Sequence, residues 1–289
     1  MAESAALLAR AKVNLMVSVQ TRRADGYHTL ESVMQSVSLS DRITVTPRGE
    51  GITLTCSDPG VPTDRRNTAV RAAEGFFTAA GFSCGADIYI EKQIPYEAGL
   101  GSASADAAGV LAALARLFPD ALGEKEMSAV ALSVGADVPF CMSGGTMLAQ
   151  GIGEILTPLP AMPQCTFVIA KGSRGVSTPQ AYRAVDAAGL TPELTADRMC
   201  GFLAAGDLLG IAGACENTFT ASCADEETRE IIVSLLENGA SGAGMSGSGS
   251  AVFGIFESER DAKRAAGHIK RPGRFVTLAK PVPSGIKLL

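Results

Sequence analysis

Residues 95–111 read PYEAGLGSASADAAGVL, a run in which small residues and hydroxyls precede an apolar stretch. Gly99 and Gly101 let a backbone approach a ligand with no side chain in the way. Ser102 and Ser104 offer hydroxyls, and Ala103 and Ala105 keep the mouth of the following helix open. A strand, a glycine turn and a helix start in succession aim unpaired N–H groups at one point, where the helix dipole adds positive potential. The chemistry on offer is anion binding, phosphate above all. A Walker loop is excluded, because it needs Gly-Lys-Ser/Thr and no lysine is present. A dinucleotide fingerprint needs a third glycine where Ser104 stands. Taken alone, the stretch is equally a strand–helix turn with a serine cap.

Three further places carry groups able to act on a bound anion. AKVNLMVSV alternates, so that Ala11, Val13, Leu15, Val17 and Val19 share one strand face and Lys12, Asn14, Met16 and Ser18 the other. Lys12 and Asn14 are then a solvent-facing polar pair or a functional pair reached from one strand. Asp137, in VGADVPF, stands between apolar neighbours, where a carboxylate is costly without a partner. It is placed to serve as a general base, or as a turn residue ahead of Pro139. In RRADGYH, Asp-Gly between strand-like segments is a hairpin signal that delivers Tyr27 and His28 from a defined position. An aromatic face beside a hydrogen-bonding ring edge is how proteins hold a nucleobase.

The elements that must position these groups alternate without a repeat. Strands are predicted at AKVNLMVSV, DRITVTPRG, GITLTCS and ADIYIEKQ, the last leading directly into the glycine loop. NTAVRAAEGFFTAAG predicts a helix with Asn67 as N-cap and Gly81 as its stop. Val110, Leu111, Leu114, Leu117 and Phe118 recur at helical spacing after the loop, and another helix runs from Glu124 to Val134. Strands follow at GTMLAQGIG and EILTPLP, and the prolines of TPLPAMPQ mark a boundary, giving domains at 1–160 and 161–289. Beyond it CTFVIAKG reads as a buried strand, followed by several helices, a glycine-rich strand region SGAGMSGSGSAVFGIF, a helix and a last strand RFVTLAKPV. Strand runs beside segregated helices indicate an α+β fold in two domains, not a doubly wound parallel sheet.

Composition narrows the function classes. The chain has 289 residues, is 46% hydrophobic and carries a net charge of −5, with no basic stripe for a nucleic-acid backbone. Its seven cysteines are scattered with no C-x-x-C pair, and there are only two histidines, which fits reduced cytoplasmic thiols better than a disulfide framework or a metal site. The N-terminus lacks the basic start and apolar core of a signal peptide, and no apolar run is long enough to span a membrane.

Together these pieces resemble the GHMP kinase superfamily, the group of galactokinase, homoserine kinase, mevalonate kinase and phosphomevalonate kinase. Within it the chain is similar to the 4-diphosphocytidyl-2-C-methyl-D-erythritol kinase family of the non-mevalonate isoprenoid route. AKVNLMVSVQTRRADGYHTLESVMQSVSLSD resembles that family's opening, and VPTDRRNTAVRAA, IPYEAGLGSASADAAGVLAAL, GADVPFCMSGGTMLAQGIGE and SGAGMSGSGSAVFGIF its later blocks, in order. The glycine loop indicates only the superfamily, whereas Lys-x-Asn-Leu combined with Asp-Gly-Tyr-His is far more specific. The resemblance implies an N-terminal domain of ribosomal-protein-S5 type and a C-terminal ferredoxin-like domain. It implies ATP and Mg²⁺, and a small-molecule substrate carrying a cytidine diphosphate whose 2-hydroxyl is phosphorylated, in a monomer or homodimer without nucleic-acid or membrane partners. Lys12 and Asp137 would be catalytic. Pro95, Gly99, Leu100, Gly101, Ser102, Ala103, Ser104, Ala105 and Asn67 would hold ATP, while Asn14, Tyr27, His28 and Tyr182 would hold the substrate. The loop departs from the family's usual Gly-Leu-Gly-Gly-Gly-Ser-Ser, with Ser102-Ala103-Ser104-Ala105 after Gly101, and Asp106 follows in the first helical turn. The competing readings are a kinase for mevalonate, homoserine or a sugar, against which Asp-Gly-Tyr-His counts, and a non-catalytic nucleotide-binding protein, against which Lys12 and Asp137 count.

Overall fold

The computed structural model describes residues 4–24, 26–81, 83–189 and 195–289. Asp25, half of the Asp-Gly turn signal, lies outside them. The chain opens with a long hairpin, β1 (Ala5–Arg22) and β2 (His28–Arg48), followed by β3 (Ile52–Cys56), α1 (Thr68–Ala80) and β4 (Gly85–Glu91). Next come α2 (Ser102–Leu117), α3 (Glu124–Val134), the short α4 (Val138–Ser143), β5 (Thr146–Gln150) and β6 (Ile155–Pro158). Beyond the prolines lie β7 (Thr166–Lys171), α5 (Thr178–Ala188), α6 (Asp197–Ala205), α7 (Leu208–Gly213), α8 (Thr218–Cys223) and α9 (Glu226–Glu237). The chain closes with β8 (Gly242–Met245), β9 (Val252–Phe256), α10 (Glu259–Ile269), β10 (Phe275–Ala279) and β11 (Ile286–Leu288).

Two sheets result, in the α+β layering expected. The first has seven strands on the path β11-β1-β2-β4-β3, with β5 and β6 branching from β2; the second has four, in the order β10-β7-β9-β8. The branch arises because β2 is long enough to serve two neighbours: Ser32–Gln35 pair with β5 and Arg42–Arg48 with β4. Only its second half is legible as a strand in the sequence. In residues 28–40 Val33, Met34 and Val37 are buried, but so are Ser32, Gln35 and Ser36, and a strand covered on both faces loses the alternation that reveals it.

Alternation returns in the second sheet, where it sorts side chains between two cores. Phe167, Ile169, Phe253 and Ile255 pack into the main core with α1, α2 and the first sheet. Val168, Ala170, Val252 and Phe256 face α9 and α10. Both faces are covered, which is why CTFVIAKG reads as one apolar run. The last strand was not foreseen: β11 pairs with β1, so the tail of the 161–289 segment returns to the first sheet. The predicted cap of α1 is present, with Asn67 accepting from Ala69 N at 2.9 Å and Gly81 in the left-handed region at φ 72°.

Candidate active site

The hairpin carries the innermost groups. The register of β1 on β2 slips between Asn14 and Met16, so the strict alternation read from the sequence ends there. Leu15 and Met16 both enter the main core, while Val17 joins a smaller cluster with α5 and α8. Ahead of the slip, Lys12 and Asn14 are buried side by side. Asn14 Oδ1 accepts from Lys12 Nζ at 2.5 Å and Asn14 Nδ2 donates to Ser32 Oγ at 2.8 Å. The amide thus bridges the ammonium and the Ser32 hydroxyl, and fixes the position of Lys12 Nζ.

Lys12 Nζ lies 3.5 Å from Asp137 Oδ2. The two differ in setting: the lysine side chain is 5% exposed and the aspartate 35%. Asp137 stands immediately before α4, where Pro139 in the first turn has no N–H to leave unpaired. It makes no capping hydrogen bond, so its carboxylate is turned to Lys12 and to the cleft. Behind the pair, burial pushes the Cys141 thiol far above its ordinary range, which removes it as a nucleophile.

The glycine loop meets the pair from the other side. Lys12 N–H donates to Leu100 O at 3.0 Å. Gly99 has φ 73°, and a Cβ there would fall 2.0 Å from Ser246 O. Ser246 explains the closeness: its hydroxyl donates to Gly99 O at 2.8 Å and accepts from Asn14 N at 3.1 Å. The late glycine block is therefore seated on the early one. Gly247 completes the contact, since a Cβ there would lie 3.3 Å from Lys12 Nζ.

Below the loop is a group that sequence reasoning missed. Lys92 Nζ donates to Asp41 Oδ2 at 2.5 Å, Asp106 Oδ2 at 2.7 Å and Ser102 Oγ at 2.8 Å. Asp41 also accepts from the N–H groups of Gln93 and Ile94, the residues that lead into the loop. Two carboxylates share one ammonium in a dry place. Burial is the main reason that the Asp106 carboxyl is pushed up to about 8, against the pull of Lys92. Asp106 Oδ1 is buried with no hydrogen-bond partner among the described residues. No local pattern marks this cluster, because its members come from β2, the end of β4 and α2.

A cleft of about 870 Å³ gathers most of the predicted site. Lys12, Asn14, Tyr27, His28, Asn67, Asp137 and Tyr182 line it, as do Gly99, Leu100, Gly101, Ser102, Ala103 and Ser104. Pro95 and Ala105 are not among the residues that line it. Ala105 N–H is bonded to Gly101 O at 2.8 Å and its methyl packs into the core, so the helix has already consumed the donor. Pro95 has no N–H to offer. Asn67 reaches the cleft with its amide engaged at both ends, by the cap and by donation to Pro62 O at 2.7 Å.

At the outer end, His28 stacks on Tyr182 with centroids 5.1 Å apart and planes 18° apart. Tyr182 meets Phe219 edge-on at 5.1 Å. Burial, and then the negative charge of Asp137, push the Tyr182 phenol up to about 12. Asp186, unremarked in the sequence, lies one turn beyond Tyr182 on α5 and bonds His28 Nε2 at 2.7 Å. Its four-residue spacing from Tyr182 on a helix was the available signal.

Comparison with known proteins places the chain in a family. The model for GHMP kinases N terminal domain matches residues 67–145, and that for GHMP kinases C terminal matches 202–274. The 4-diphosphocytidyl-2-C-methyl-D-erythritol kinase of Desulfitobacterium hafniense is 43% identical over 263 residues, covering 90% of each chain. That of Synechococcus sp. (strain JA-3-3Ab) is 40% identical, covering 91% of this chain and 88% of its own. A crystal structure of 4-(cytidine 5'-diphospho)-2C-methyl-D-erythritol kinase superposes with a TM-score of 0.81 at 37% identity, covering 96% of this chain and 99% of that one. Homoserine kinase from Cytophaga hutchinsonii, at 19% identity and a TM-score of 0.78, shares the fold. The chain belongs to the 4-diphosphocytidyl-2-C-methyl-D-erythritol kinase family of GHMP kinases.

Proposed function

We propose that this protein transfers the γ-phosphoryl group of ATP to the 2-hydroxyl of 4-diphosphocytidyl-2-C-methyl-D-erythritol, giving the 2-phosphate and ADP in the non-mevalonate isoprenoid route. The observation that carries the reading is the Lys12–Asp137 pair, 3.5 Å apart, at the mouth of the α2 N-terminus. Asp137 takes the proton from the substrate hydroxyl, whose oxygen attacks the γ-phosphorus. The bond from that phosphorus to the bridging oxygen breaks, and ADP leaves with the electron pair. Lys12 faces the reacting oxygens and offsets their charge. The N–H groups of Ser102, Ala103 and Ser104, in the first turn of α2, hold the phosphates. Tyr27, His28 and Tyr182 hold the cytosine.

Among the described residues no three carboxylate, histidine or cysteine side chains converge to cage a metal ion. That fits magnesium, which takes most of its ligands from nucleotide phosphates and water. The unpartnered Asp106 Oδ1, in the first turn of α2, is the protein oxygen suited to it, with the Ser104 hydroxyl close by in sequence. Bound there, magnesium would neutralise charge on the transferring phosphoryl group.

The domain division at 160/161 is part of the reading, with β11 as a strap back to the first. The net charge of −5 and unpaired thiols support a cytoplasmic enzyme, acting as a monomer or homodimer without nucleic-acid or membrane partners. No helix among the described residues is long and apolar enough to cross a membrane. Phosphorus NMR with Mg-ATP and the cytidine substrate tests the proposal. A new phosphomonoester signal with ADP, abolished in Asp137→Asn, supports it; turnover only with another alcohol removes the substrate assignment.

A further inference from the structure

We propose that Asp186 is a positioning residue that sets the tautomer of His28 and thereby makes the pocket select an amino-bearing pyrimidine over a keto one. The inference rests on the reading that His28 faces the cytosine. α5 presents two side chains to this imidazole from successive turns: Tyr182 covers a face at 5.1 Å and Asp186 Oδ1 takes Nε2 at 2.7 Å. Ala181 and Val185, on the buried side of the same helix, anchor it in the cluster that holds Val17, Val19 and Phe219. The ring is therefore held both face-on and in plane.

A carboxylate is acceptor-only, so a neutral imidazole bonded to it carries its proton on Nε2. Nδ1 is then a lone pair. Cytosine places an amino donor at ring position four, where uracil places a carbonyl acceptor. Turned to the base, as the cytosine reading requires, that lone pair welcomes the first and repels the second, and a site built around a specific hydrogen bond rejects the analogue that cannot make it. Arg22 NH1, on a largely exposed side chain, lies 3.7 Å from the other oxygen, Asp186 Oδ2.

The test uses the full chain, its cytidine substrate and the uridine counterpart. In the wild type, nitrogen-15 NMR of the histidine ring should show His28 protonated on Nε2 alone. The chain has two histidines, so His268→Gln assigns the signals. Asp186→Asn, whose amide can donate to Nε2, should raise KM for the cytidine substrate about tenfold with kcat nearly unchanged, and lower the preference for cytidine over uridine by at least about tenfold. Asp186→Glu should recover part of the preference, which a merely structural role would not predict. The inference is overturned if wild-type His28 is protonated on Nδ1, or on both nitrogens, in the substrate complex. It is also overturned if folded Asp186→Asn keeps its tautomer and preference. If the wild type turns over both bases equally, the cytosine reading itself falls, and this inference with it; the ring NMR tells the cases apart because it needs no turnover.

Discussion

The inner and outer ends of the cleft stand on the same hairpin and are built differently. At the inner end Lys12 is 5% exposed, and the loop above it rests on a buried Lys92 bonded to Asp41, Asp106 and Ser102. At the outer end Tyr27 is 61% exposed, and Asp186, which holds His28, is 37% exposed. Charges that act on phosphates gain from a dry, fixed setting, since both the field and its direction are preserved there. A base is held by flat contact and a few edge hydrogen bonds, and that surface must open to admit and release it. Preorganisation is concentrated where charge moves.

If that contrast is right, damage at the inner end should fall on kcat and stability, and damage at the outer end on KM. The largest effect is expected from Asp137→Asn, a loss of about 10²–10⁴-fold in kcat with the KM for either substrate little changed. Steady-state kinetics check it, and a change confined to KM would break the comparison. Lys92→Met leaves Asp41 and Asp106 facing each other without their ammonium, and should cost about 3–5 kcal/mol in chemical denaturation. Gly99→Ala must displace either the loop or Ser246, because the new Cβ meets Ser246 O and the backbone is held at positive φ. A destabilisation of about 1–3 kcal/mol is expected, together with weaker ATP binding by calorimetry. Tyr27→Ala should weaken the cytidine substrate by about 1–3 kcal/mol, read as KM, and leave kcat and melting temperature close to wild type.

A pH dependence sharpens the account of the inner end. Asp106 has its carboxyl raised from 3.8 to about 8, so the folded state binds more protons than the unfolded one between these values. The associated stability is fully present below 3.8 and is lost as pH rises through about 8. Denaturation of the nucleotide-free, metal-free protein across that range should show this decline, and Asp106→Asn should flatten it. A decline unchanged in the variant would assign it to other groups.

Local chemistry made part of this molecule readable. The cap at Asn67, the stop at Gly81 and the helix from Glu124 to Val134 depend on contacts within a turn or two, and each is found where its residues predict it. The glycine loop by itself was legible only as a strand–helix turn open to an anion, and it took Lys12, Asp137 and the Asp-Gly-Tyr-His block to favour the phosphate reading. What the sequence could not carry was any feature made by distant segments: the first half of β2, masked by burial on both faces; β11, a short strand defined by pairing with β1; and the register slip after Asn14. The same holds inside the site. Lys92 and Asp41 are unremarkable singly, Asp106 is marked only by its place in the first helical turn, and Ser246 is one serine in a glycine-rich run until it bridges Asn14 and Gly99. The sequence by itself determined the α+β class, the family and a set of site residues most of which line the cleft. Tertiary structure alone decided which of them touch, because a buried charge or a close backbone approach is settled by its neighbours in space.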